Sequence, residues 1–228
     1  MAAQTIDTIE IPPEGAGTLL CYKNYIYMLE RNPDYVKNDK QLHELEYPGG
    51  KFDPQAGDTD YVTCAIRETR EETGGMITLD PKQLSKHVLS VSPANKGVCL
   101  FIVELTDDQH DLIDKIRQKL KSDYNSTFYL TDAQLNVLNE IEKKVPAKYQ
   151  SVTKYIHKEN NTIDGRASQE TMDIIEISKE ELFSAVSKVA EASDKEIIKR
   201  EKIVEVRGLP VRSFNIILMR LVLKQNLL

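Results

Sequence analysis

The stretch from Tyr47 to Gly75, YPGGKFDPQAGDTDYVTCAIRETREETGG, limits what this chain can become more than any other. Pro48-Gly49-Gly50 cannot continue a helix and makes poor strand material. It predicts a bend whose backbone comes close to something, with carbonyls exposed. Thr59 or Asp58 can cap a following helix. From Asp60 to Thr73 no Gly or Pro intervenes, and Gly74 is a natural stop. Val62, Ala65, Ile66, Thr69 and Thr73 recur at helical spacing and make one buried face. At about 100° per residue, Glu68, Glu71 and Glu72 fall together on an arc beside that face. Carboxylates held this close repel one another, so the cluster is destabilising unless a cation neutralises it. Hard oxygen ligands suit Mg²⁺ or Mn²⁺, with the carbonyl of Gly49 or Gly50 as a further ligand. Arg67 and Arg70 lie beside the acids, where forked hydrogen bonds would orient them. An acidic helical run is ordinarily a solvated face. This one follows Gly49-Gly50-Lys51 and a capped helix start, which sets it apart.

These residues resemble the Nudix box, the signature of the Nudix hydrolases. That pattern is a glycine, five residues, a Glu, seven residues, then R-E-aliphatic-x-E-E-x-G-aliphatic. Arg67, Glu68, Thr69, Glu71, Glu72 and Gly74 match its second half. Between Gly50 and Arg67 the chain is three residues longer than the pattern, so Asp58 or Asp60 must stand in for the first Glu. Gly75 occupies the closing aliphatic position, with Met76 and Ile77 just beyond.

The resemblance implies an α/β/α sandwich around a mixed sheet. It also implies hydrolysis of a diphosphate bond, in a nucleoside diphosphate linked to another group. Divalent ions on Glu68, Glu71, Glu72 and a glycine carbonyl would neutralise the substrate's phosphates and acidify a bound water. Glu71 or Glu72 is the candidate to receive that water's proton, with Arg67 among the catalytic residues. Lys51 would meet a phosphate oxygen or pair with a helix acid, and Arg31 would face the substrate or stand in solvent. Glu170, just before a strand–helix unit, would complete the metal site or act as base. The run from Gly49 through Glu68 looks locally like the coenzyme A diphosphatase branch; diphosphoinositol polyphosphates and capped RNA stay open as substrates.

Composition narrows the partners. A formal net charge of −6 argues against a general nucleic-acid-binding surface, yet not against a phosphorylated small molecule, since a bound metal reverses the local sign. The three cysteines, Cys21, Cys64 and Cys99, lie far apart without metal-ligand spacing and read as reduced, buried thiols. No apolar run reaches membrane-spanning length, and the start lacks a secretory h-region, so a cytoplasmic setting is expected.

One domain over residues 1–228 is expected. Strands are predicted at 6–11, 18–22 and 25–29, with Lys23-Asn24 as a hairpin turn. Residues 32–45 read as a surface loop or substrate wall. After the helix, strands are predicted at 76–79, 87–91 and 97–105, the last in a central position. His87, alone, reads as structural. Residues 107–165 read as a helical insertion, with helices at 109–120, from Thr131 or Asp132, and near 149–156. It could line the substrate pocket, form a homodimer surface, or decorate the fold. A strand at 171–178 then leads into a helix to about Ala192. A late strand at 203–206 precedes a last helix that starts on Pro210 and buries Phe214, Ile217, Leu218, Leu221 and Val222. Two other classes fit the chain: a Nudix fold that binds without catalysis, and an interaction protein docking through the insertion.

Overall fold

The computed structural model describes residues 10–32, 36–37, 40–41, 43–126, 171–199 and 203–228. The chain begins as a hairpin, β1 (Pro13–Tyr22) and β2 (Tyr25–Arg31), turned at Lys23 with φ 53°. Two short strands, β3 (Val36–Lys37) and β4 (Lys40–Gln41), pair with each other. Then come β5 (Leu45–Glu46), β6 (Gly49–Lys51) and helix α1 (Tyr61–Glu72). A 3₁₀ turn over Pro81–Leu84 leads to β7 (Lys86–Val91) and β8 (Gly97–Glu104). Helices α2 (Asp107–His110) and α3 (Ile113–Ser126) follow. Beyond residue 170 lie β9 (Thr171–Ser178), α4 (Lys179–Ser187), α5 (Asp194–Ile198), β10 (Glu205–Val206), β11 (Leu209–Pro210) and α6 (Ser213–Gln225).

Seven of these strands make one mixed sheet, β5-β2-β1-β8-β7, with β6 also on β1 and β9 also on β2. The β1–β8 pair is parallel and the other pairs are antiparallel. Alternate side chains feed two cores, as a pleated strand requires. Leu19, Cys21, Ile26 and Met28 pack with Leu182, Val186, Leu218 and Met219 of α4 and α6. Leu20, Tyr27, Leu29 and Phe101 pack with Val62 and Ala65 of α1 and with Ile113, Ile116 and Leu120 of α3. The result is a mixed α/β fold with helices on both faces, as the resemblance implies.

Several elements differ from the sequence expectation. Only residues 10 and 11 of the expected first strand are described, and they are not strand. Residues 13–17 instead join β1, because Gly15, Ala16 and Gly17 pair with β6 on one side and β8 on the other. Added bulk would not fit there: a Cβ on Gly17 would sit 2.6 Å from the Pro48 carbonyl. Residues 76–79 form no strand. Gly74 and Gly75 both turn at positive φ, and Ile77 and Leu79 are buried as anchors without a ladder. Two helices, not one, cover residues 107–126, and both the apolar side of α3 and its ions are committed: Asp173 of β9 meets Lys121 at 3.0 Å and Arg117 at 3.7 Å. Helix α4 ends at Ser187, where the backbone tightens into turns such as Val189 N–H to the Val186 carbonyl. Pro210 sits in β11, paired around the Arg207-Gly208 turn, and α6 starts at Ser213. The helices expected after residue 130 lie outside the described residues. Among the described residues, no helix is long and apolar enough to cross a membrane.

All three cysteines are buried free thiols. Burial pushes the Cys21 and Cys64 thiols up to about 12, and Cys99 in the same direction.

Candidate active site

The site is built where β6 runs against α1. Asp60 caps the helix, accepting from the Thr63 N–H at 2.7 Å while the Thr63 hydroxyl takes the Asp60 N–H at 3.0 Å. Neither Asp58 nor Thr59, the residues expected from sequence, is the cap. The helix is registered on β1 through a buried hydroxyl pair, Thr18 Oγ1 to Thr69 Oγ1, 2.7 Å apart. This alignment brings two acids onto the glycine bend. The Gly49 N–H donates to Glu72 Oε2 at 2.8 Å, and Glu72 is only 6% exposed. Glu68 packs against Gly50 so closely that a Cβ there would lie 2.3 Å from Oε1. A side chain at position 50 would therefore displace the carboxylate. The expected buried face is present in Val62, Ala65, Thr69 and Thr73, while Ile66 is half-buried.

Arg67 ties the site together. Its Nε and Nη2 donate to the two oxygens of Asp58 at 2.9 and 2.8 Å, a forked pair. Nη2 also reaches the Lys51 carbonyl at 2.9 Å and Glu68 Oε1 at 2.8 Å, and Nη1 reaches Glu71 Oε2 at 3.0 Å. One cation thus spans the bend, the loop and the helix. The structure separates the two acids that could replace the first Glu of the pattern: Asp60 caps, Asp58 holds Arg67.

The electrostatics follow from burial. Desolvation raises the Glu68 carboxyl to about 7, against the opposing pull of Arg67. At Asp58 burial also favours the neutral form, but hydrogen bonds from Arg67 and the Asp53 N–H outweigh it and lower the pKa. Arg67 is held charged, first by its bond to Asp58. Glu68 is thus a half-buried acid whose ionised form would be stabilised by further positive charge.

A divalent ion would supply that charge, and the donor set is chemically suited to it: carboxylates, with backbone carbonyls adjacent. Among the described residues, however, no three His, Cys, Asp or Glu side chains are gathered to hold an ion by themselves. Glu68 and Glu72 face the bend, whereas Glu71 is turned to Arg67.

The remaining sequence candidates divide. The Lys51 side chain is exposed at the bend. Arg70 is exposed, and among the described residues no ion pair joins it to an acid. Arg31 is not solvent-exposed: it is 4% exposed and pairs with Glu46 at 3.3 Å. Glu170 lies outside the described residues. His87 sits on β7 against the Phe101 ring, and burial lowers its pKa. Glu46 and Arg212, absent from the sequence reading, make an ion pair beside the bend. Glu46 lies in a polar run, His43-Glu44-Leu45-Glu46, with no pattern to single it out, and Arg212 comes from a distant segment with no motif.

No family model matches the chain, and no curated protein matches it either. Solved structures do resemble parts of it. A Caenorhabditis elegans (C. elegans) Ap4A hydrolase in a binary complex is 27% identical, with a TM-score of 0.29, over 40% of this chain and 64% of that one. A NUDIX hydrolase from Nitrosomonas europaea is 18% identical, TM-score 0.28, over 41% of this chain and 57% of that one. The MutT protein from Methanosarcina mazei Go1 is 18% identical, TM-score 0.28, over 68% of this chain and 100% of that one. The chain covers less than two thirds of the first two. At these TM-scores the likenesses assign no activity to it.

Proposed function

We propose that the chain is a divalent-metal-dependent hydrolase that cleaves the diphosphate bond of a nucleoside diphosphate linked to another moiety. The observation that carries this reading is the seating of Glu68 and Glu72 on Gly49 and Gly50, with Arg67 spanning both sides. A solvated acidic face would turn these carboxylates outward; here they turn toward backbone, Glu72 buried and Glu68 half-buried.

The residues proposed to hold Mg²⁺, or Mn²⁺, are Glu68, Glu71 and Glu72, with carbonyls of Gly49 or Gly50 and, from outside the described residues, Glu170. When bound, the ion supplies charge neutralisation of the phosphates and a more acidic water. The chain's own groups do the rest. Arg67 keeps the acids and the Lys51 backbone in fixed relation, which in-line attack on phosphorus demands. Glu71 or Glu72 accepts the water's proton. Lys51, exposed at the rim, meets a phosphate oxygen. Arg31, buried on Glu46, would act on substrate through the shape and charge of that wall.

One observation favours a second reading, a Nudix-like fold that binds a phosphorylated ligand without cleaving it: the absence of three gathered ligating side chains among the described residues. A hydrolysis panel separates the two. It should offer coenzyme A, ADP-ribose, NADH, dinucleoside polyphosphates, capped RNA and diphosphoinositols, with Mg²⁺, Mn²⁺ or excess EDTA, and products identified by mass. Metal-dependent release of two phosphorylated products from one of them is expected. Tight binding with no product under any metal would replace the first reading with the second.

A further inference from the structure

We propose that Arg212 is a substrate-positioning residue, a guanidinium that meets a phosphate oxygen of the bound diphosphate at the wall of the glycine bend. This rests on the function proposed above.

The segment carrying Arg212 is stitched beside β5. Val211 bridges Leu45 in parallel, and the Arg212 N–H donates to the Leu45 carbonyl at 2.9 Å. From there the side chain reaches Glu46, with Nη1 2.5 Å from Oε2. Glu46 stands opposite Leu29, whose side chain is in the α1 core, so this carboxylate lies on the α1 face of the sheet. Three residues further along the same segment, Gly49 donates to Glu72. Arg212 is therefore delivered to the wall of the acid site by chain far from it in sequence.

The same Glu46 oxygen also takes Arg31, which is buried. Among the described residues, the Glu46 bond is the one hydrogen bond of the Arg212 side chain, which leaves other donors of the fork open, and that side chain is 45% exposed. A guanidinium has five N–H donors in a planar fork matched to phosphate. Although burial works against its charge, Glu46, with smaller contributions from Tyr47 and Glu72, holds its pKa above the ordinary arginine value. Glu72 is thus close enough to be felt. An arginine anchored on one side by a buried acid, with free donors on the other, is pre-organised for an anion.

The test uses the full chain as wild type and as Arg212→Gln, Arg212→Lys and Glu46→Gln/Arg212→Gln. Two quantities are read: the affinity for α,β-methylene-ADP with Mg²⁺, by calorimetry, and kcat and KM on whichever substrate the panel identifies. Loss of a charge-assisted hydrogen bond should weaken analogue binding about tenfold or more and raise KM similarly, with kcat changed less. The lysine variant should recover part of the affinity, since it restores charge but not the fork. The double variant also removes the carboxylate on which Arg212 is anchored; continued weak binding there supports a direct contact. Restored affinity in the double variant would show that Arg212 serves only Glu46, and would overturn the proposal. Wild-type affinity and KM in a folded Arg212→Gln protein would do the same, while metal-dependent wild-type turnover left the proposed function intact. A wild type that neither binds nor cleaves would remove the function and this role together.

Discussion

Helices cover both faces of the sheet, but the two faces are made of different material. Under α4 and α6 the packing is largely aliphatic, with Tyr47, Phe183 and Phe214 beside it, and Asn215 is the buried polar residue that α6 contributes. Under α1, apolar packing is interrupted by Thr18 on Thr69, by Glu72 on a backbone N–H, by Asp58 on Arg67, and by Arg31 on Glu46. Buried charge is costly unless fully partnered, and replacing such pairs by apolar residues often stabilises a protein. One face is built to hold the fold and the other to hold groups in place, at some expense to stability.

Substitutions on the two faces should therefore fail differently. The largest effect is expected at Glu72→Gln: its carbonyl oxygen can still accept the Gly49 N–H, so the protein should melt within a few degrees of wild type while turnover falls about a thousandfold, as for loss of a group acting at the reacting phosphate. Glu71→Gln should do likewise. Near-normal rates in both variants would remove the site. Leu218→Ala, in the aliphatic face, should behave in the opposite manner, losing about 2–5 kcal/mol by denaturant titration with rate per folded molecule preserved. If it abolished rate without unfolding, the division of labour would be wrong.

Gly50→Ala sharpens the contrast. The methyl group meets the flexible end of Glu68 rather than backbone, so folding should survive and activity drop about a hundredfold, of the order seen when a site is slightly misplaced. Asp58→Asn has a smaller effect on rate, about tenfold, through a loosened Arg67. It also has a pH signature. The folded-state pKa of Asp58 lies below its ordinary value, so its contribution to stability is present above that ordinary value and fades as pH falls through the lowered one. The variant should therefore lose stability near neutrality and show a flatter acid limb in a pH series of melts; an unchanged limb would count against the pairing. The smallest effect is expected from thiol reagents: with Cys21 and Cys64 raised to about 12, alkylation of native protein should stay slow up to pH 9 and become fast in denaturant.

The contrast between faces also explains what the sequence could disclose. Helix α1 was readable because its periodicity, its gap-free run and its acids all lie within one local window. Strand β9 was readable over its whole length, since TMDIIEIS is β-branched and bounded by a helix cap at Ser178. Residues 76–79 misled for a related reason: burial of Ile77 and Leu79 gives an alternation like a strand's, although no ladder forms. The acid roles at 58 and 60 could not be separated by spacing, because both precede the helix and the choice depends on where Arg67 reaches. Arg212 was invisible, since its partner is chosen by the bridge from Val211 to Leu45, a long-range contact with no local signal. The β1 extension through Gly15 and Gly17 was missed because glycine weakens strand propensity where the fold needs close backbone approach.

Arg67 grips the Lys51 carbonyl at the start of the connecting loop and Asp58 near its end, so the length of chain between those two points hardly reaches the acids. The extra residues there are absorbed as a short turn outside the clasp. An engineer could graft a peptide tag or a recognition loop at Gln55 and leave the carboxylates where they are.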